Sequence, residues 1–413
     1  MSQNAYTVKF PHFLFLWFGA AVSVAEILAG GLLAPLGFTQ GVLAVLLGHL
    51  IGTTLLVLGG VIGTRERTPA IESTRISFGV YGSGLFSVLN VLQLIGWTAI
   101  MVISAAKSAN QISTMLWQVD NFKLWSIAIG AMIFLWILLG REGGWKKVNM
   151  AAVLLLLGLT VVMSVTIFKS PGALAQAPSG DMSFSEAVEL SVVMPLSWLP
   201  LIADYTRYAR SAKGAAWGSW LGYFAGSCWM YIIGLAVALT AGDPDPSSVL
   251  LAANLGITAL GIIVLATVTT TFMDAYSAGV SFSNLFSGLN EKHVALVMTA
   301  IGTALALVID MEQYEDFLLA IGSVFAPLFA IVLTDYFLRG NRSIRPELLV
   351  NWCAVAVWAG GVALYYQFLD LKLVLGATIP DIFVTGLVYF CLARYAEKWQ
   401  YCRKIAKPLY RQV

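Results

Sequence analysis

The apolar positions of this chain fall in long uninterrupted runs, not in the alternation of a half-buried strand or the one-sided stripe of a surface helix. Runs of about 18 or more apolar residues have the length a helix needs to cross a bilayer. Gly/Pro clusters, polar turns and charge clusters divide the runs into twelve predicted helices. They lie near 13–37, 40–63, 83–115, 123–140, 149–168, 187–206, 216–241, 257–282, 294–309, 316–338, 348–366 and 376–395. No ten-residue stretches alternate apolar and polar, so an outer-membrane barrel does not fit. The first run is too long for a cleaved signal and continues into a second, so it is predicted to be a mature span.

Composition agrees. Of the 413 residues, 59% are hydrophobic and 11% charged, with mean hydropathy +0.81. A soluble domain carries roughly 25% charged residues. A soluble enzyme and a disordered chain are both excluded on this ground. A net charge of +2 gives no footprint for nucleic acid. Cys228, Cys353, Cys391 and Cys402 are scattered, which argues against a disulfide frame, and His12, His49 and His293 are too dispersed to suggest zinc.

Charge placement sets the predicted orientation. With the N-terminus inside, the inside segments hold Lys9, Arg65, Arg67, Arg75, Arg141, Lys146, Lys147, Arg207, Arg210, Lys213, Lys292, Arg339, Arg342, Arg345 and the basic tail from Arg394 onward. Of the 24 Lys and Arg, only Lys107, Lys123, Lys169 and Lys372 fall elsewhere. The outer loops are acidic, with Asp243, Asp245, Asp310, Glu312, Glu315 and Asp316. A multi-pass inner-membrane protein with both termini cytoplasmic is expected. The tail over 394–413 reads either as an interfacial amphipathic helix or as a plain topology anchor.

Polar residues at membrane depth are the functional candidates, because each is costly there unless it is satisfied. The first span crowds small residues around Glu26, whose carboxylate reads as a ligand or proton site, or else as a structural hydrogen bond to a neighbouring helix. The sixth carries Pro195 and Pro200, which remove two backbone donors and predict a break at the midplane. Ser197 and Trp198 sit between them. Spans one and six are five apart, the spacing of two inverted repeats. The third span pairs Gln93 with Trp97 on one face, an amide and an indole suited to the edge and face of a flat heterocycle. In the eighth span, Thr269, Thr270, Thr271 and Asp274 offer hard oxygens to an alkali cation, unless the threonines merely bond back to their own helix.

Several segments resemble the nucleobase-cation-symport-1 family. Arg75-Ile-Ser-Phe-Gly is similar to its R-x-S-F-G segment before helix 3, and Ala203-Asp204-Tyr205-Thr206-Arg207-Tyr208 to the A-D-[FY]-x-R-[FY] segment closing helix 6. Thr334-Asp335-Tyr336-Phe337 resembles the end of helix 10, and the segment from Tyr276 to Asn284 resembles the bacterial cytosine permeases. The resemblance spans nearly the whole chain. It implies an all-α membrane protein of twelve helices with the leucine-transporter-type 5+5 inverted repeat and broken helices 1 and 6. The implied units are 1–168, 169–338 and, for helices 11 and 12 with the tail, 339–413. It also implies substrate contacts from Gln93, Trp97, Ser197 and Trp198. For sodium it implies the carbonyls of Gly19 and Val22 with Ala266, Thr269 and Thr270. Glu26 and Asp274 replace neutral residues of the cytosine permeases. The sequence looks most like the branch proposed to carry hydroxymethylpyrimidine for thiamin salvage, whose amine and ring nitrogen a carboxylate can match with two hydrogen bonds.

The expected function is therefore cation-coupled import of a small pyrimidine, by sodium or by protons, with lipid as surroundings, no cofactor, no nucleic acid and no enzymatic step. A monomer is expected, although helix packing would permit a dimer. Cytosine, another nucleobase or a hydantoin are alternative cargoes. A channel would need a continuous polar lining, and a membrane enzyme would need a nucleophile–base set or metal cluster. The sequence offers neither.

Overall fold

A computed structural model describes residues 7–139, 145–167, 171–175, 178–242, 255–286, 288, 290–309 and 313–406. The first predicted span is two helices, α1 (Phe10–Ala21) and α2 (Val24–Gly31), bent by 57°. Ser23 restarts the helix: its hydroxyl accepts from the Glu26 N–H. The second to fifth spans are α3 (Phe38–Glu66), α4 (Gly82–Trp117), α5 (Phe122–Leu139) and α6 (Trp145–Ile167). The sixth is α7 (Phe184–Ser197) followed by α8 (Leu199–Thr206). Then come α9 (Ala212–Ala241), α10 (Gly256–Ser283), α11 (Glu291–Ala306) and α12 (Tyr314–Leu333), whose end widens into a π-helical turn over Thr334–Leu338. The last two are α13 (Trp352–Asp370) and α14 (Thr378–Ala406). Every predicted span thus holds a helix. Among the described residues, eight are long and apolar enough to cross a membrane on their own, and the bent α1–α2 pair, counted as one span, makes a ninth.

Two details differ from the sequence reading. The sixth span does not bend sharply at its prolines; it is interrupted at Trp198 alone, whose N–H turns back three residues to the Pro195 carbonyl. Pro200 falls in the first turn of α8, where a missing N–H has no partner to lose. And α14 runs past 395 to Ala406, so the described part of the basic tail continues the last helix. Arg141, Lys169, Asp243, Asp245, Asp310, Glu312, Lys407 and Arg411 lie outside the described residues.

Burial orders the helices. In the sixth span 94% of the apolar window is buried, against 22% in α13, so α7–α8 is the central element and α13 faces outward. α1 and α2 pack along α9, and α3 packs on both α9 and α7, while α10 and α11 pack on α4. The closest approach needs a glycine: a Cβ on Gly234 of α9 would run into the Ile27 carbonyl of α2.

The motifs that carried the resemblance tie one end of the bundle together. Asp204 accepts from the Ala70 N–H, Arg67 donates to the carbonyls of Arg207 and Ala209, and Arg75 donates to the Asn284 carbonyl. Asp335 pairs with Arg339 and accepts from Asn341 and Tyr389. These residues join loops and helix ends, away from the polar cluster at mid-span.

Candidate functional site

The break between α1 and α2 borders a small, nearly filled cavity of about 10 Å³. Ala20, Ser23, Ala25 and Glu26 form its first-span wall. Trp97 and Met101 come from α4, Met194 and Trp198 from the α7–α8 junction, and Asp274 from α10. Sequence reasoning placed Glu26, Trp97, Trp198 and Asp274 in one site, and the fold brings these four to one cavity. At about 10 Å³ it is far below the 300–1,000 Å³ usual for ligand pockets, so the site is closed on itself here and a ring enters only when the surrounding helices part. A wider depression beside Lys107 and Asn110 lies at the end of α4, away from both helix breaks.

The two indoles are held edge-on by other rings. Trp198 packs on Trp17 with centroids 5.7 Å apart, and Trp97 on Phe317 at 5.5 Å and Tyr314 at 6.2 Å. Such contacts fix ring orientation, which favours a flat ligand that stacks without reordering the site.

The two carboxylates differ. Glu26 accepts from Tyr223 Oη at 2.8 Å and lies 2.6 Å from Ser227 Oγ, both on α9. Asp274 has no hydrogen-bond partner among the described residues, and its Oδ2 is buried and bare. A buried acceptor left unpaired is costly, so Asp274 marks where a ligand's donors, a proton or a cation would be welcome.

Gln93 and Ser197 stand behind the wall. The Leu201 N–H bonds to Trp198 instead of Ser197, which frees the Ser197 carbonyl. Gln93 Nε2 donates to that carbonyl at 2.8 Å and to Asn90 Oδ1 at 3.3 Å. The Ser197 hydroxyl donates to the Met194 carbonyl at 2.7 Å. Gln93 Oε1 is buried without a partner.

The residues suggested for sodium fall into two groups. At the first-span break, the Ser23 N–H donates to Ala21 and the Glu26 N–H to the Ser23 hydroxyl, so Gly19 and Val22 lose the donors that an unbroken helix would give their carbonyls. On α10, the Thr270 hydroxyl makes no hydrogen bond among the described residues, whereas Thr269 bonds back to the Ala266 carbonyl at 3.1 Å. Thr271 also bonds back, to Thr267 at 2.7 Å. α1 and α10 are in contact. Gly19 and Val22 carbonyls and the Thr270 hydroxyl are thus free oxygens of the hard type that suits an alkali cation.

Sequence reasoning missed Met101, Met194, Tyr223 and Ser227. One signal was available: Ser23-x-x-Glu26 has the spacing of a helix start, and it marks the restart inside the first span.

Comparison with known proteins adds the following. A family model described as a permease for cytosine/purines, uracil, thiamine and allantoin matches residues 2–389. The cytosine permease of Escherichia coli K12 is 27% identical over 359 residues, covering 84% of each chain. A nucleobase-cation-symport-1 transporter, Mhp1, solved in a closed conformation with bromovinylhydantoin bound, superposes with TM-score 0.80 at 22% identity over 96% of this chain and 93% of that one. A Na⁺-coupled sialic acid symporter in an outward-open state gives TM-score 0.67 at 13% identity over 95% and 91%.

Proposed function

The chain belongs to the family of permeases for cytosine/purines, uracil, thiamine and allantoin, a membrane transporter of the leucine-transporter-type fold, and from that premise we propose that it imports a small aminopyrimidine, hydroxymethylpyrimidine, together with a cation. The observation that carries this reading is the pairing of Glu26 and Asp274 with two indoles in one small cavity. The indoles would take the ring faces. The bare Asp274 carboxylate would take the exocyclic amine, and Glu26 would meet the basic ring nitrogen beside it, a proton on either partner closing the hydrogen bond.

The cation would sit between the first-span break and α10, on the Gly19 and Val22 carbonyls and the Thr270 hydroxyl. Ala266 and Thr269 contribute less, because Thr269 already bonds to the Ala266 carbonyl. Interruptions in spans one and six support two inverted repeats over 1–168 and 169–338, with 339–413 as an added pair of helices and tail. Rocking of one repeat against the other would expose the cavity to each side in turn. The Lys and Arg distribution supports an inner-membrane protein with cytoplasmic termini.

A second reading keeps the transport and changes the cargo to cytosine, favoured by the 27% identity to a cytosine permease. Equilibrium binding of hydroxymethylpyrimidine and of cytosine, each in sodium and in choline at two pH values, separates the two. Tighter hydroxymethylpyrimidine binding in sodium is expected, and Glu26→Gln is expected to weaken it without lowering membrane expression. Preference for cytosine assigns the protein to the second reading. Sodium independence removes the cation site.

A further inference from the structure

A chain of short contacts runs from the cavity wall into the packed helices behind it. Ser227 Oγ on α9 lies 2.6 Å from Glu26 Oε2 and 2.6 Å from His49 Nε2 on α3. His49 Nδ1 lies 2.9 Å from the Val45 carbonyl. Glu26, Ser227 and His49 are all buried, His49 and Ser227 completely.

Counting hydrogens decides what this cluster holds. A carbonyl only accepts, so Nδ1 of His49 carries a hydrogen. A hydroxyl has one hydrogen, so Ser227 can donate to Glu26 or to His49 and not to both. With Glu26 ionised and His49 neutral, one of the two 2.6 Å contacts would set lone pair against lone pair in a dry core. Both contacts are satisfied when the cluster carries one proton more. It then rests on Glu26, which donates to Ser227, or on His49, whose Nε2–H donates to Ser227 instead. We infer that Glu26, Ser227 and His49 form a proton-binding relay, and that the arrangement described here is its loaded form.

The relay deepens the transporter reading and rests on it for its consequence. Glu26 lines the cargo cavity, so a bound cargo and the bound proton share one carboxyl group and their affinities are linked in both directions. The proton passes by exchange: Ser227 accepts it from Glu26 while giving its own hydrogen to His49 Nε2. Loss of the proton breaks one of the two contacts and loosens α2 from α3 and α9 at the cavity wall. The titratable groups facing the cluster are Tyr223, Cys228 and Tyr231 on α9, Tyr314 on α12, and Asp274 on α10 across the cavity. Tyr231 sits edge-on to the His49 ring at 4.6 Å, and Tyr314 donates to the Ala25 carbonyl at 3.2 Å. From α7, packed on α3, the side chain opposite is Ser191, against Gly48, and α4 presents Trp97. The side-chain hydrogen bonds of Glu26 and His49 go to Tyr223, Ser227 and the Val45 carbonyl.

The first test reads the proton without any cargo. The full-length chain with His12→Asn and His293→Asn, labelled with nitrogen-15 at histidine, is examined in detergent near neutral pH. The expected species is the imidazolium, or the Nδ1–H tautomer together with a protonated-carboxyl infrared band that Glu26→Gln removes; an Nδ1–H tautomer beside an ionised Glu26 overturns the relay. A neutral Nε2–H tautomer overturns the relay, because Ser227 would then serve an ionised Glu26 with no added proton. The second test uses proteoliposomes at clamped membrane potential, with labelled hydroxymethylpyrimidine and cytosine as probes. An inward proton gradient is expected to raise accumulation by up to about tenfold per pH unit for one proton per cycle. His49→Gln is expected to keep counterflow and lose the gradient response, since an amide donates to Ser227 without titrating. Ser227→Ala, which cuts the relay by one oxygen, is the second variant. A gradient response that survives both substitutions overturns the relay. Absence of counterflow with either probe in the wild type counts against the proposed cargoes, and the first test then decides the relay alone.

Discussion

Gln93 and Ser197 are joined across the centre of the protein: the side-chain amide of one donates to the main-chain carbonyl of the other at 2.8 Å. That carbonyl is free only because the sixth span is interrupted at Trp198. Gln93 therefore holds the interruption open while keeping its polarity satisfied. Gln93→Leu should leave the carbonyl unpaired and destabilise the protein by about 1–3 kcal/mol. Heating detergent-purified protein and following the loss of the monodisperse peak would measure it. Unchanged heat resistance would mean that water or another group satisfies the carbonyl equally well.

The same pair shows what the sequence could and could not reveal. Gln93, Trp97 and the prolines around Ser197 were legible as polar or helix-breaking residues at membrane depth, a signal that needs no tertiary information. The partner of Gln93 was not, because it depends on which backbone donor turns away at Trp198. Glu26 was legible as a buried carboxylate, but Tyr223 and Ser227, about two hundred positions later, carry no local signature of pairing with it. His49 read as an isolated histidine for the same reason. The twelve spans were readable because run length and hydropathy are local. The depth of the sixth-span break was overestimated: Pro200 sits where its missing donor is harmless.

Asp274 is expected to contribute more to cargo affinity than any other residue of α10. Its Oδ2 is bare and its neighbours are cavity. A hydrogen bond from a ligand to a charged or buried acceptor is worth about 1.5–3 kcal/mol, which corresponds to about a 10- to 100-fold loss of affinity on Asp274→Ala. Asp274→Asn should retain part of it, since the amide oxygen still accepts. Isothermal titration with hydroxymethylpyrimidine on both variants gives the comparison. Equal affinity in wild type and Asp274→Ala would remove this residue from the cargo site.

The two threonines proposed for sodium should not behave alike. Thr270 has a hydroxyl without a partner, whereas that of Thr269 is engaged by the Ala266 carbonyl. Thr270→Ala should reduce the stimulation of binding by sodium about tenfold or more, and Thr269→Ala should change it much less. Binding measured over a sodium series with choline balancing the ionic strength reads both. An equal effect of the two substitutions would argue that Thr269 releases Ala266 when the ion arrives.

Away from the cavity, another buried carboxylate has a structural task, and its partners predict how it fails. Glu189 on α7 accepts from Tyr365 Oη and Thr378 Oγ1 at 2.6 Å each on Oε1. On Oε2 it accepts from the N–H groups of Ala377 and Thr378, at 2.6 and 2.9 Å. Four donors thus converge on one side chain and bind the central span to α13 and to the start of α14. Glu189→Ala removes both acceptor oxygens, so the buried N–H groups of Ala377 and Thr378 lose their partner. Two lost bonds to a charged group amount to about 3 kcal/mol or more. Gly376 fixes the approach of this turn: it has φ of +73°, and a Cβ there would meet Glu189 Oε2. Gly376→Ala should therefore destabilise the protein by the same route, through backbone strain and displacement of the carboxylate. Neither substitution touches the cavity, so the fraction of each variant that remains folded should bind cargo with near wild-type affinity. Heat resistance lowered in both variants with affinity retained would establish Glu189 as a fastener between the central span and the outer helix pair, whereas affinity lost in step with stability would extend the cargo site to the far end of α7.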